Sequence, residues 1–126
     1  MIELSDKDKV VVLIKDGMES YQLISPHSSQ SRRITLTEVH VRPGYYNERH
    51  SHETSEQVWY ALRGTGMLLL AGGEEKPFKA GDVVRMADGD IHGLHNDSDG
   101  EFVYIAITSP PVNFDCAYQG RKPQSD

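Results

Sequence analysis

The stretch RHSHETSEQVWYALRGTG, residues 49–66, carries His50 and His52 one residue apart, with Gln57 five positions beyond the second. On extended backbone, residues two apart project from the same face, so both imidazoles point together and Ser51 turns away. The segment ETSE reads as a tight turn that lets Gln57 open a neighbouring strand and face the same space. From Gln57, the residues Trp59 and Ala61 share its face, and Val58, Tyr60 and Leu62 take the other. A third histidine, His92, follows the turn Asp88-Gly89 in GDVVRMADGDIHGLHN. Neutral imidazoles on rigid strands suit one divalent Mn, Fe, Co, Ni, Cu or Zn ion. The inside of a β-barrel is where such a site gains shape and loses water.

The other histidines read differently. His27, in SPHSSQS, reads as a solvated loop residue. His40 fits an interior position or a hydrogen-bonded structural one. His95 lies three residues after His92, on a different side of an extended chain, and is not expected to ligate.

Positioning such a set requires rigid elements, and the chain reads as short strands. Turn signals recur at Asp16-Gly17, Pro43-Gly44, Gly64-Thr65-Gly66, Gly72-Gly73, Gly81-Asp82, Asp88-Gly89 and Asp99-Gly100. Between them lie VVVLI (10–14), ESYQLIS (19–25), ITLTEVHV (34–41), VWYAL (58–62), DVVRM (82–86) and EFVYIAIT (101–108), rich in β-branched and aromatic residues. In ITLTEVHV, alternation puts Thr35, Thr37, Val39 and Val41 on one face and Ile34, Leu36, Glu38 and His40 on the other. No window shows capped 3.6-residue periodicity. Many short strands at this spacing predict an antiparallel sandwich or barrel. The polar tail from about residue 119 to 126 is expected to fray.

Composition narrows the function. The 126 residues fit a single domain spanning 1–126, and 37% apolar with 25% charged residues describes a globular chain. A net charge of −6 disfavours nucleic-acid or anionic-membrane partners, which require a concentrated basic face. The longest apolar run, MLLLA at 67–71, is too short to span a bilayer. MIELSDKDKV is charged from Glu3 onward and does not read as a signal peptide. Cys116 is the only cysteine, so no internal disulfide forms, and a cytoplasmic location is expected.

Two stretches carry a family resemblance. GYYNERHSHETSEQVWYALRG, Gly44 to Gly64, resembles the first motif of the cupin superfamily, G-x5-H-x-H-x3-4-E-x6-G. GDVVRMADGDIHGLHN, Gly81 to Asn96, resembles the second, G-x5-P-x-G-x2-H-x3-N. The resemblance implies an all-β, single-domain antiparallel barrel or jelly roll of the small metal-binding kind. It implies a metal held by His50, His52 and His92. Ala87 stands at the proline position of the second motif. Gln57 stands where the first has its metal-binding glutamate; Glu56, one residue earlier, would need a register shift to face the metal. The neutral amide of Gln57 would either ligate directly or hold a metal-bound water. In both cases the divalent charge stays uncompensated, which favours an anionic or enolate-like substrate.

The His-His-Gln-His set resembles that of small cupins that ketonise unsaturated uronates. Those carry an Asp-x-Phe-Ser-Pro-x-Arg-like segment on the last strand, whereas this chain has AITSPPV, Ala106 to Val112. Ala106, Thr108 and Val112 replace the acid, the aromatic and the arginine, so the general acid/base is absent from that place. Dioxygenase-type chemistry, which needs few protein groups beyond the metal, is the favoured expectation. A uronate or sugar isomerase and a non-catalytic small-molecule or metal-binding module are the alternatives. Tyr46, Trp59, Met86 and Tyr104 are expected to line the substrate pocket, although a core role suits each of them equally. No obvious arginine sits beside the metal motif, apart from Arg42 or Arg49. A homodimer is expected by resemblance, because VVVLI is too apolar for an exposed edge.

Overall fold

The computed structural model describes residues 1–112; Cys116 and the expected fraying of the C-terminal tail lie outside the described residues. Ten strands follow in chain order: β1 Val12–Lys15, β2 Met18–Ile24, β3 Thr35–Val41, β4 Tyr46–His50 and β5 Glu56–Arg63. The remainder are β6 Thr65–Leu70, β7 Glu75–Lys79, β8 Val83–Met86, β9 His92–His95 and β10 Phe102–Ser109. The only helical segments among the described residues are two short 3₁₀ turns, Lys7–Lys9 and Ala71–Gly73. No helix of the described residues is long and apolar enough to cross a membrane.

All pairings are antiparallel, in a six-stranded sheet ordered β1-β2-β3-β10-β5-β8 and a four-stranded sheet ordered β4-β9-β6-β7. The inner faces of both sheets share one core, in which Val41, Trp59, Phe102 and Tyr104 meet Leu68, Phe78 and Leu94. Alternation in β3 is as expected: Thr35, Thr37, Val39 and Val41 are buried and the residues between them half-buried. Register then aligns inward side chains in rows across the large sheet. Thr37, Ala106, Trp59 and Val84 form one row; Thr35, Thr108, Gln57 and Met86 form the next. The second row ends the interior at the metal motif.

Two relations differ from expectation. The turn at Glu53-Thr54 does not fold β5 back beside β4; it carries the chain from the small sheet to the large one. Gln57 therefore faces the histidines from the opposite wall. VVVLI forms an edge strand, but Val10, Val12 and Leu13 are buried within the chain's own fold, and Ile14 alone is exposed. The burial of these three side chains concerns one chain alone, and the homodimer stays an expectation.

Candidate metal centre

Pairing of β4 with β9 sets His50 directly opposite His92. This close approach depends on Gly93, where a β-carbon would stand 2.6 Å from the Asn47 carbonyl oxygen and 3.0 Å from the Glu48 backbone. His52 lies just past the end of β4, and its carbonyl accepts from the Gly89 amide of the β8–β9 turn at 2.9 Å. That turn is closed by Asp90, whose carboxylate accepts from the Ala87 amide at 2.9 Å. An aspartate side chain thus supplies the closure where the resembling motif has proline.

The three rings converge. Centroids lie 4.5 Å apart for His50 and His92, 5.1 Å for His50 and His52, and 5.4 Å for His52 and His92. One ring nitrogen from each lies within 4.8 Å of the others, and among the described residues no other such group of histidine, cysteine and acidic side chains is found. The tautomers follow from the backbone. His50 Nδ1 meets the Glu48 carbonyl at 2.8 Å and His92 Nδ1 meets the Asp90 carbonyl at 2.9 Å. A carbonyl only accepts, so each Nδ1 holds the proton and each neutral ring keeps its lone pair on Nε2. Imidazoles fixed in this way are oriented as metal ligands, with a carbonyl on the far nitrogen raising the basicity of the near one. The donor set fits a divalent transition ion.

Gln57 approaches from the large sheet and is buried. Its Nε2 donates to Thr108 Oγ1 at 2.9 Å, and its Oε1 stands 3.0 Å from His92 Nε2. Glu56 points the other way and pairs with Arg85 at 2.8 Å on the outer face. Burial pushes the His92 imidazole down to about 4, with lesser pushes from His50 and His52. His52 is lowered too, by burial first and by His50 second. Both shifts keep the rings neutral, the protonation state in which an imidazole binds metal. Trp59 meets the His92 ring edge-on, at 5.4 Å and 85°.

The centre opens into a cavity of about 690 Å³. Of the four expected pocket residues, Tyr46, Trp59 and Tyr104 line it. Met86 does not: although opposite Gln57 in register, it packs into the hydrophobic core and is 3% exposed. The β10 wall presents Tyr104, Ala106 and Thr108, without an acid or a base at the last two positions. Arg49 also lines the cavity, held by carbonyls of Leu70 at 2.7 Å and Glu74 at 3.2 Å, whereas Arg42 is exposed away from it.

The remaining histidines stand apart. His27 is exposed in its loop. His40 lies on the outer face of β3, 2.6 Å from the Glu38 carboxylate and 3.5 Å from that of Glu101. His95 packs edge-on against Tyr46. Sequence reasoning did not single out Thr108 as the partner of Gln57. The signal that could have done so is the alternation of β10, which puts Thr108 on the same face as Tyr104 and Ala106.

Comparison with known proteins adds the family context. Residues 37–108 match the family described as the cupin domain. An uncharacterised protein of Methanocaldococcus jannaschii is 27% identical over 110 residues, covering 86% of this chain and 87% of its own. An oxalate-binding protein of Thermotoga maritima is 26% identical over 93 residues, covering 74% of this chain and 76% of its own. The solved structure of the polyketide cyclase RemF from Streptomyces resistomycificus is similar in fold, with a TM-score of 0.76 at 20% identity over 88% of this chain and 81% of that one.

Proposed function

The chain belongs to the cupin domain family, and we propose that it is a metal-dependent cupin that converts a small, oxygen-rich anionic substrate by dioxygenase-type chemistry. The observation that carries this reading is the wholly neutral set His50, His52, His92 and Gln57, of which His50, His52 and Gln57 line the cavity. A divalent transition ion held by His50, His52 and His92 would supply Lewis acidity toward substrate oxygens. None of the four residues offsets its charge, so an anion is drawn in more strongly than it would be past a carboxylate ligand.

The rest of the cavity supports binding and shielding. Trp59 and Tyr104 are buried and form an apolar wall beside the histidines, which excludes water. Ser20, Thr37 and Asn47 offer hydroxyl and amide groups to orient substrate oxygens. Ala106 and Thr108 offer no proton-transfer group at the two β10 positions where the resembling uronate-ketonising cupins carry an acid and an aromatic, which weighs against that particular isomerisation.

A second reading has one observation in its favour. The Thermotoga maritima relative is an oxalate-binding protein, and oxalate is a small dianion with adjacent oxygens. A metal-dependent binder of such dicarboxylates, without turnover, would use the same four residues. Metal analysis of protein purified without added metal, followed by assays of β-diketones, catechols, flavonols, oxalate and unsaturated uronates with and without oxygen, tests both. Oxygen-dependent turnover is the expected result. Tight oxalate binding without turnover of any compound would favour the binder, and oxygen-independent turnover of uronates would favour an isomerase.

A further inference from the structure

The orientation of the Gln57 amide leaves two lone-pair-bearing atoms facing each other beside the three histidines. Its Nε2 donates to Thr108 Oγ1, so the carbonyl oxygen is the end facing His92 Nε2, 3.0 Å away. His92 Nδ1 is committed as a donor to the Asp90 carbonyl. With the ring neutral, a lone pair on Nε2 faces the lone pairs of Oε1, and nothing between them can donate. A cation that accepts electron density from both atoms makes this arrangement favourable. The reversed amide solves the same problem without a cation, since its N–H₂ would then donate to His92 Nε2 and occupy the lone pair that a metal needs.

We infer that Thr108 is the positioning residue that, by accepting a Gln57 N–H, supports the amide orientation in which the Gln57 carbonyl oxygen faces the metal position. The inference rests on the metal-binding reading above. Thr108 is 1% exposed and sits opposite Gln57 in the β5–β10 register, so backbone pairing fixes its hydroxyl beside the amide. In the metal-bound orientation the hydroxyl accepts the Gln57 N–H, which would otherwise be a buried donor without an acceptor. Remove the hydroxyl, and that orientation orphans the N–H₂, while the reversed one orphans only a carbonyl oxygen. Orphaned buried N–H groups are the rarer and costlier kind. The balance then moves to the reversed amide, which competes with the metal for His92.

The test is cobalt(II) affinity of the full chain, measured by chelator competition together with the ligand-field spectrum. The variants are Thr108→Val, Thr108→Ala, Thr108→Ser, Gln57→Glu and the double variants Gln57→Glu/Thr108→Val and Gln57→Glu/Thr108→Ala. Thr108→Val is expected to weaken binding about tenfold, the worth of one such hydrogen bond, and Thr108→Ser to restore it. Thr108→Ala gives the same reading, alone and in the double variant, if valine does not fold. With Gln57→Glu in place there is no N–H to misdirect, so losing the hydroxyl should cost less than about threefold. Wild-type affinity in Thr108→Val and Thr108→Ala, or an equal loss in both backgrounds, overturns the inference. If wild-type protein binds no cobalt in a His50-dependent way, the metal reading itself fails and this inference falls with it.

Discussion

Gly93 lies so close to Asn47 that a β-carbon at position 93 would stand 2.6 Å from the Asn47 carbonyl oxygen. The contact is with backbone, which cannot swing aside, and it falls one residue from His92 on the strand that pairs with β4. Gly93→Ala should therefore separate β9 from β4 and pull His92 away from His50. The expected result is a loss of roughly 1–3 kcal/mol in unfolding free energy, with metal affinity reduced in the same variant. Urea unfolding and chelator competition check both; a variant with wild-type stability and affinity would show that the two strands can yield.

Acid should destabilise the metal-free protein through His92. Burial holds its imidazole at about 4 in the folded chain, against 6.5 when unfolded. Between those values the unfolded chain binds more protons, so stability rises with pH: it is fully present above 6.5 and is lost as pH falls toward 4. The shift corresponds to roughly 3 kcal/mol, and His52, also lowered, acts in the same direction. Urea midpoints of chelator-treated protein at pH 7.5, 6 and 4.5 should fall in that order. Equal midpoints, or a His92→Asn variant with the same slope, would contradict this.

On the proposed metal reading, Gln57 should set both metal affinity and substrate charge. Gln57→Ala should weaken metal binding about tenfold to a hundredfold, the usual cost of losing a group that supports the ligand set. Gln57→Glu should bind metal more tightly and anions less tightly, because a carboxylate offsets one unit of the ion's charge. Calorimetric titration with metal and then with oxalate separates the two effects. A Gln57→Glu variant that gains on both would mean the neutral amide is not what favours an anion.

The fold was legible where strands are apolar or alternate clearly. The six stretches read as strands all lie on strands of the large sheet, whose inner face, with Trp59, Tyr104 and Phe102, packs against Leu68, Phe78 and Leu94 of the small sheet. Of the small sheet, only the extended backbone around His50 was read, and from the histidine spacing rather than from a strand pattern. YNERH is almost entirely polar, HGLH is short and broken by Gly93, and EKPFK contains a proline, so none carries a strand pattern. TGMLLL was noticed only as an apolar run. His50 and His92 ride on these strands and His52 lies just beyond one of them, and all three were found from motif spacing instead. Met86 shows the limit of alternation, which predicts a face and not what lies above it: on the same face as Gln57, it is covered by core. Alternation along β10 gives the face of Thr108, but its pairing with Gln57, 51 residues away, comes from the β5–β10 register.

The central claim is that His50, His52 and His92 hold one metal ion beside the cavity. Direct titration of metal-stripped protein with cobalt(II), comparing wild type with the His50→Ala/His92→Ala double variant, tests it most directly. The account predicts a single bound ion per chain in the wild type, with a spectrum showing nitrogen ligands. It predicts that the folded double variant loses at least about a hundredfold in affinity, since each lost imidazole removes a first coordination bond. Equal uptake by the two proteins, with both folded by circular dichroism, would contradict it.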